Sequence, residues 1–249
     1  MASVSMMSRE ALNWLTGAER GNVLLVGASV NYGPALARAG NAVTVIDPNL
    51  KAVRMTTGAW SRIRGVVGTS EELPFDPRLF SAVVSVQNFH TLNLGVTLAE
   101  CARVLRPQGR IGVAYVIRDD SVPWVKKLKK IVHQYLPNAM TNDQGTASVS
   151  ALYESGYFPR VDTTSFRLWV PSTRTQLQNS ARGAPGADQL DDAEREDMVN
   201  EIGKLYDSYA RVPDPMMLPY QIKCWRAQVD QSNITAPLVQ EDEGLSIAL

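Results

Sequence analysis

The 249-residue sequence predicts an α/β protein built on a doubly wound, mostly parallel sheet, and three observations carry that prediction. Residues 22–27, Asn-Val-Leu-Leu-Val-Gly, form a continuous apolar run closed by glycine, which fits a strand covered on both faces. Residues 42–47, Ala-Val-Thr-Val-Ile-Asp, repeat the pattern and end in an acid. Between and after these runs apolar residues recur at helical spacing, so strands and helices alternate as in parallel crossover units.

The remaining elements follow in order. After the turn at 28–33, Pro34 stands where a first helical turn tolerates it, and Ala35, Leu36 and Ala39 give a helix that stops at Gly40. Residues 49–59 read as a helix opened by Pro48. Strands are expected at 64–68, 80–86 and 109–117, with a helix at 92–105 and a turn at Arg106-Pro-Gln-Gly. Beyond Arg118 the character changes. Residues 121–136 read as an amphipathic helix capped by Ser121, 148–155 as a short helix and 161–170 as a strand. Residues 180–189 hold Gly183, Pro185 and Gly186 and read as a loop. A charged helix at 191–210 and a last strand at about 217–229 complete the chain. The whole reads as one domain over 8–229, with a core at 22–118 and helical additions at about 121–156 and 172–210. Residues 230–249 are expected to be a disordered tail.

Composition excludes several classes. Lys and Arg number 25 and Asp and Glu 25, so the excess positive charge that drives phosphate-backbone binding is missing, and no nucleic-acid partner is expected. No long apolar run or signal core points to a membrane. Two cysteines cannot build a disulfide framework, and no Cys/His cluster has metal-ligand spacing, so a cytoplasmic protein without a metal is expected. Oligomeric state is not legible.

In such a sheet, ligands bind outside the carboxyl ends of the strands, where strand order reverses. Asp47 lies about 20 residues after Gly27, the interval at which an acid ending the second strand takes ribose hydroxyls. The same residue type also suits the N-cap of the following helix. The turn Gly27-Ala-Ser-Val-Asn-Tyr-Gly33 keeps only the first glycine of a dinucleotide fingerprint, which disfavours NAD or FAD. A single nucleoside without phosphates makes weaker demands, leaving room for S-adenosylmethionine.

Five stretches in this order resemble a known family: 22–27, Asp47, 68–75 (Gly-Thr-Ser-Glu-Glu-Leu-Pro-Phe), 80–90 (Phe-Ser-Ala-Val-Val-Ser-Val-Gln-Asn-Phe-His) and 102–110 (Ala-Arg-Val-Leu-Arg-Pro-Gln-Gly-Arg). They are similar to the class I S-adenosylmethionine-dependent methyltransferases of the methyltransferase type 11 group. Glu-Leu-Pro-Phe and Arg-Val-Leu-Arg-Pro are the most specific. Residues 118–124 and 218–226 add a resemblance to bacterial small-molecule members. The resemblance spans about 13–226 and implies a Rossmann-like methyltransferase fold, a seven-stranded sheet with an antiparallel last strand. It implies methyl transfer from S-adenosylmethionine to a small-molecule nucleophile by in-line displacement, with no acid/base triad required. The substrate pocket is then expected between the strand ends and the helices at 121–136 and 191–210. It places Gly27, Ala28 and Ser29 under the methionine, Asp47 and Pro48 at the ribose, Thr69, Ser70 and Glu71 at the adenine, and Gln87, Asn88 and Phe89 on the methionine side.

Departures from the family pattern point to a rival reading. Leu25 stands where an acid is expected, Ser29 and Asn31 replace glycines of the turn, Thr69 replaces a frequent Asp, and Ser81 follows Phe80 where Asp is usual. The rival is a noncatalytic binding or interaction protein that has lost the cofactor. His90 follows the fourth strand, where relatives place polar residues beside the transferred methyl; it is a candidate to orient substrate or take a proton, or else structural. Asp119 and Asp120 either hold a basic substrate or start the next helix, the second being favoured. Lys126, Lys127, Lys129 and Lys130 read as a solvated face. Cys101, Cys224, Trp124, Trp169 and Trp225 read as packing residues, with the tryptophans as alternative pocket walls.

Overall fold

A computed structural model of the chain describes residues 7–17, 19–58, 60, 62–137, 145–210 and 215–232. The strands are β1 Asn22–Val26, β2 Ala42–Asp47, β3 Ile63–Val67, β4 Phe80–Val86, β5 Leu105–Arg118, β6 Val161–Ser172 and β7 Met216–Gln228. The helices are α1 Arg9–Thr16, α2 Tyr32–Arg38, α3 Leu50–Thr57, α4 Leu94–Val104, α5 Pro123–Tyr135, α6 Ser150–Glu154, α7 Arg174–Arg182 and α8 Asp192–Tyr209.

All seven strands join one sheet in the order β3-β2-β1-β4-β5-β7-β6. The pairs β1–β2, β2–β3, β1–β4 and β4–β5 are parallel, and β7 runs antiparallel to both β5 and β6. Strand order reverses between β1 and β4, which puts the ligand-binding crevice of this architecture at their carboxyl ends. The alternating α/β pattern is thus seen as expected.

The apolar run of β1 serves two cores at once, because successive side chains of a strand point to opposite faces. Val23 and Leu25 pack with Leu12, Leu15, Leu36 and Val45 on one face. Leu24 and Val26 pack with Ile46, Val83, Leu98 and Cys101 on the other. A third cluster joins Trp124, Val125 and Leu128 of α5 to Leu177 of α7, Met198 and Ile202 of α8, and Met216 and Leu218 at the start of β7. This is the helical lobe.

Several boundaries differ from the sequence expectation. Ser121 does not cap α5; Val122 stands at that position. The Asp119 carboxylate takes both the Ser121 N–H (3.2 Å) and its hydroxyl (2.6 Å), so the hydroxyl donates backwards instead of accepting from the helix. The expected loop at 180–189 begins inside α7, which runs to Arg182 before Gly183 ends it. A capping box between Thr173 and Gln176 starts this helix, and Leu177 and Ala181 bury it, which outweighs the breakers that follow. The Arg106–Gly109 turn sits within the β5 span as a register shift, with Gln108 at φ 64°. The expected tail is held at first: Asp230 N–H donates to Tyr157 O (2.8 Å) and Gln231 Nε2 to Leu105 O (2.7 Å). Residues 233–249, like the expected end of the third helix at Ala59, lie outside the described residues.

Candidate functional site

The turn after β1 and the end of β2 are tied together by one carboxylate. Gly27, at φ 89°, takes a backbone conformation open to glycine and strained for other residues. Its N–H donates to Ile46 O (2.9 Å), continuing the ladder one residue past β1. The next N–H, that of Ala28, donates to Asp47 Oδ2 (2.8 Å), while Asp47 Oδ1 accepts from Asn49 N–H (2.7 Å). The alternative role of Asp47 as helix cap is corrected here: Asn49 caps α3, its Oδ1 accepting from the N–H groups of Lys51 (3.0 Å) and Ala52 (3.3 Å). Asp47 is half-buried, and each of its oxygens, with one amide bond, retains a lone pair for a hydroxyl donor. Pro48 beside it is exposed.

Ser29 Oγ accepts from Asn31 N–H (3.3 Å) and Tyr32 N–H (3.4 Å). The side chain that replaces a glycine thus occupies the first amides of α2, which in a phosphate-binding turn would face the ligand. Leu25, where relatives carry an acid, is 1% exposed and pairs in the ladder with Val45 and Val84. A carboxylate there would lie in an apolar core.

Beyond β4 the three residues assigned to the methionine side have three different positions. Gln87, at φ 66°, donates from Nε2 to Val116 O and accepts at Oε1 from Val116 N–H, both at 3.0 Å. Its amide thus prolongs the β4–β5 ladder. Asn88 Nδ2 donates to Val26 O (3.0 Å), and its Oδ1 accepts from Ser85 Oγ (2.6 Å). The Asn88 amide therefore lies on Gly27, so closely that a Cβ on Gly27 would come within 1.9 Å of Nδ2. Phe89 is buried among Leu98, Tyr115 and Phe158.

At the third strand end, Thr69 is exposed and Glu71 half-buried, whereas Ser70 is buried, its hydroxyl 2.9 Å from Thr97 Oγ1. An ion pair holds this loop from behind. Glu100 Oε2 accepts from Leu73 N–H (2.7 Å), and Arg103 donates to Glu100, to Phe75 O (2.8 Å) and to Leu73 O (2.8 Å). The hydrogen bond from Arg103 holds the Glu100 carboxyl below the usual carboxylate range. The two most specific sequence stretches thus touch.

A cavity of about 310 Å³ opens beside Gln87. Of the cofactor candidates, Gln87 alone is among its described lining residues. The other walls come from β5 (Val116, Ile117, Arg118), from α5 (Val125, Leu128, Lys129) and from α7 with the residues that follow it (Leu177, Ser180, Pro185). Sequence reasoning expected the helices at 121–136 and 191–210 to bound it; α7 takes the place of α8. His90 is not among these lining residues. Its N–H donates to the Tyr115 hydroxyl (3.1 Å), its Nδ1 is 3.2 Å from the same oxygen, and Gly145 packs against its ring.

Asp119 is buried at 2% exposure and is not among the described residues that line the cavity. Burial pushes its carboxyl up, but hydrogen bonds from Ser121 and Gln221 and the Arg167 charge, 3.4 Å from Oδ2, hold it below its ordinary value. Asp120 does line the cavity, paired with Lys129 Nζ at 3.1 Å. The solvated-face expectation is thus corrected for Lys129, while Lys126, Lys127 and Lys130 are exposed. Trp124 is buried in the lobe, Trp169 is exposed, and Trp225 meets Tyr115 edge-on at 6.2 Å; none lines the cavity. Among the described residues no helix is long and apolar enough to cross a membrane.

Comparison with known proteins places this geometry. Residues 24–113 match the family model described as a methyltransferase domain. The chain is 33% identical over 124 residues to uncharacterized methyltransferases of Mycobacterium tuberculosis H37Rv and Mycobacterium bovis, covering 49% of this chain and 51% of theirs. It spans about half the length of these curated relatives. An uncharacterized methyltransferase of Schizosaccharomyces pombe is 24% identical over 156 residues, 63% of this chain and 61% of that protein. A solved structure from Anaeromyxobacter dehalogenans, provisionally described as a type II methyltransferase, superposes with a TM-score of 0.69 at 18% identity, covering 91% of this chain and 98% of that one. Another from Anabaena variabilis, provisionally described as a methyltransferase of an antibiotic biosynthesis pathway, gives 0.59 at 16% identity over 88% and 95%. At these identities the structures show the fold, and it is the one the sequence resemblance implies.

Proposed function

From a chain whose residues 24–113 carry a methyltransferase domain on a Rossmann-like sheet, we propose an S-adenosylmethionine-dependent methyltransferase acting on a small molecule. The observation that carries this reading is Asp47: an acid at the end of β2, bonded to the turn after β1, with lone pairs left for ribose hydroxyls. Exposed Val30, Leu50 and Val67 at the carboxyl ends of β1, β2 and β3 offer the apolar surface an adenine requires, beside Thr69 and Glu71. Bound there, the cofactor supplies a methyl group already activated on a sulfonium.

The protein's own part is positional. Asp47 and the Ala28 turn orient the nucleoside, Gln87 closes the strand ends, and the cavity between α5 and α7 holds the acceptor and excludes water. No base need be assigned, and His90, bonded to Tyr115 away from the cavity, is read as structural. The reading treats residues 8–229 as one unit and, with two buried free thiols, fits the cytoplasm.

Two observations favour the rival, a noncatalytic member of the fold. Leu25 offers no charge to the cofactor's ammonium, a contribution of about 1.5–3 kcal/mol if unreplaced. The Asn88 amide covers the face of Gly27. Calorimetric titration with S-adenosylmethionine and S-adenosylhomocysteine separates the readings. Micromolar binding that weakens at least about tenfold in Asp47→Ala is the expected result, corresponding to loss of one charge-assisted hydrogen bond. No heat and no thermal shift at millimolar ligand would establish the noncatalytic protein instead.

A further inference from the structure

β6 forms one edge of the sheet, with β7 as its only neighbour among the described strands. Its register with β7 runs from Val161 to Ser172 without a shift. Residues of a strand turn their N–H and C=O groups alternately to its two sides, so one set bonds β7 and the other faces outward. Among the described residues, no backbone group of 161–172 bonds anything beyond β7. The usual protections of such an edge are missing: the strand has no Lys, no bulge and no Pro before Pro171. Its two charges are engaged within the chain, Asp162 by Arg226 (3.3 Å) and Arg167 by Asp119 (3.4 Å). Phe166 and Leu168, half-buried, pack against the sheet core on one face. Thr163, Ser165 and Trp169 are exposed on the other, Trp169 at 47%.

We propose that β6 pairs with β6 of a second copy of this chain, antiparallel about a two-fold axis through Phe166, so that two sheets become one. The register follows from symmetry and charge. An axis normal to the sheet keeps like faces together, so opposed residues lie an even number of positions apart and the axis falls on a residue. The midpoint of β6 lies between Phe166 and Arg167, which leaves these two as centres of the longest registers. An axis on Arg167 sets that guanidinium against its own copy, a repulsive pair. An axis on Phe166 sets ring against ring and pairs residues 161–171 of each copy. Arg167 then faces the partner's Ser165, Asp162 the partner's Val170 and Trp169 the partner's Thr163, so no charge stands directly opposite a like charge. A strand of another protein would fill the same edge; a second copy is favoured because the sequence complements itself in this register. The paired strip, about 35 Å long and one strand deep, is smaller than a standard interface, so the dimer is expected to dissociate in the micromolar range. None of this depends on the methyltransferase reading.

Sedimentation velocity of the full chain between about 1 and 200 μM is expected to show monomer passing to dimer. Cysteine substitution reads the register. Phe166→Cys should give a disulfide-linked dimer under mild oxidation, because opposed residues on the axis have Cα atoms about 4.5–5.5 Å apart, within disulfide reach. Ser165→Cys should not, its two copies being diagonal neighbours about 7–8 Å apart. The native Cys101 and Cys224 are buried and do not contribute. Charge reads the pairing independently: Ser165 faces the partner's Arg167, so Ser165→Lys should weaken the dimer and Ser165→Glu tighten it, each by about three- to tenfold. Thermal midpoints identify a Phe166→Cys chain that fails to fold, in which case the two charge variants at Ser165 decide. A monomer at every concentration, a link through Ser165→Cys in place of Phe166→Cys, or a dimer indifferent to both charges overturns the proposal.

Discussion

Single residues at the strand ends carry out tasks that their identities only partly announce. Gly27 has two reasons to be glycine: its φ of 89° and the Asn88 amide lying on it. In Gly27→Ala the new methyl must displace Asn88 from Val26 O and Ser85 Oγ in a backbone conformation alanine disfavours. The expected cost is about 2–4 kcal/mol in urea unfolding. Adding Asn88→Ala should recover part of it, because the clash is removed and the strain remains; a double variant no more stable than the single one would show that Asn88 is not the obstacle. Asp47 and Asn49 divide what one residue was expected to do. The acid holds the turn and the amide caps the helix, so the carboxylate stays at the crevice.

The segment 72–75 and helix α4 act as one element, joined by an ion pair. Arg103 fills its fork with Glu100 and two carbonyls, and Glu100 takes the Leu73 amide, so the loop bearing Thr69, Ser70 and Glu71 is clamped from behind. Arg103→Ala leaves Glu100 and two carbonyls short of partners and is expected to cost about 2–4 kcal/mol. The pH dependence has a definite sign. The Glu100 carboxyl is lowered in the folded chain, so its contribution is complete above its unfolded value, about 4.3, and is lost as pH falls through the folded value. Unfolding free energies of the native and variant chains should therefore differ by a constant amount above about pH 5 and draw closer as pH falls through the folded value, leaving the part that comes from the Arg103 bonds to Leu73 O and Phe75 O. A difference that stays constant to pH 2 would exclude the ion pair as its source.

Across the whole molecule, the sheet buries a core on each face, and the start of β7 joins it to a third core in the lobe. Cys101 lies in one sheet core and Cys224 in the other, and burial pushes each thiol up to about 12, with the Glu100 charge adding to the effect at Cys101. Both should resist an aromatic disulfide reagent at pH 8 in the native chain. They should react together in urea, with the same transition as the far-ultraviolet signal. Rapid reaction of either thiol without denaturant would mean that its face of the sheet opens locally. The cavity belongs to this scale too, since Gln87 after β4, β5, α5, α7 and Tyr220 of β7 all contribute to its lining and none forms a site alone.

What was legible in the sequence was what depends on near neighbours. Strands buried on both faces carry near-continuous apolar runs, so β1, β2 and β4 read directly, and the acid ending β2 and the glycine after β1 marked the crevice. The specific stretches at 72–75 and 102–106 were legible as words, although their contact was not. Tertiary structure alone decided the partners: Asn88 on Gly27, Gln87 along Val116, Ser121 drawn to Asp119, and Lys129 turned from a solvated face to a cavity wall. It also put α7 where α8 was expected, because a capping box and two buried side chains extended a helix toward glycines that read as a loop. The physical reason is common to all of these. Apolar periodicity records burial, which each element needs wherever it docks, whereas a polar side chain takes its partner from the strand register and helix placement that bring distant residues within 3 Å.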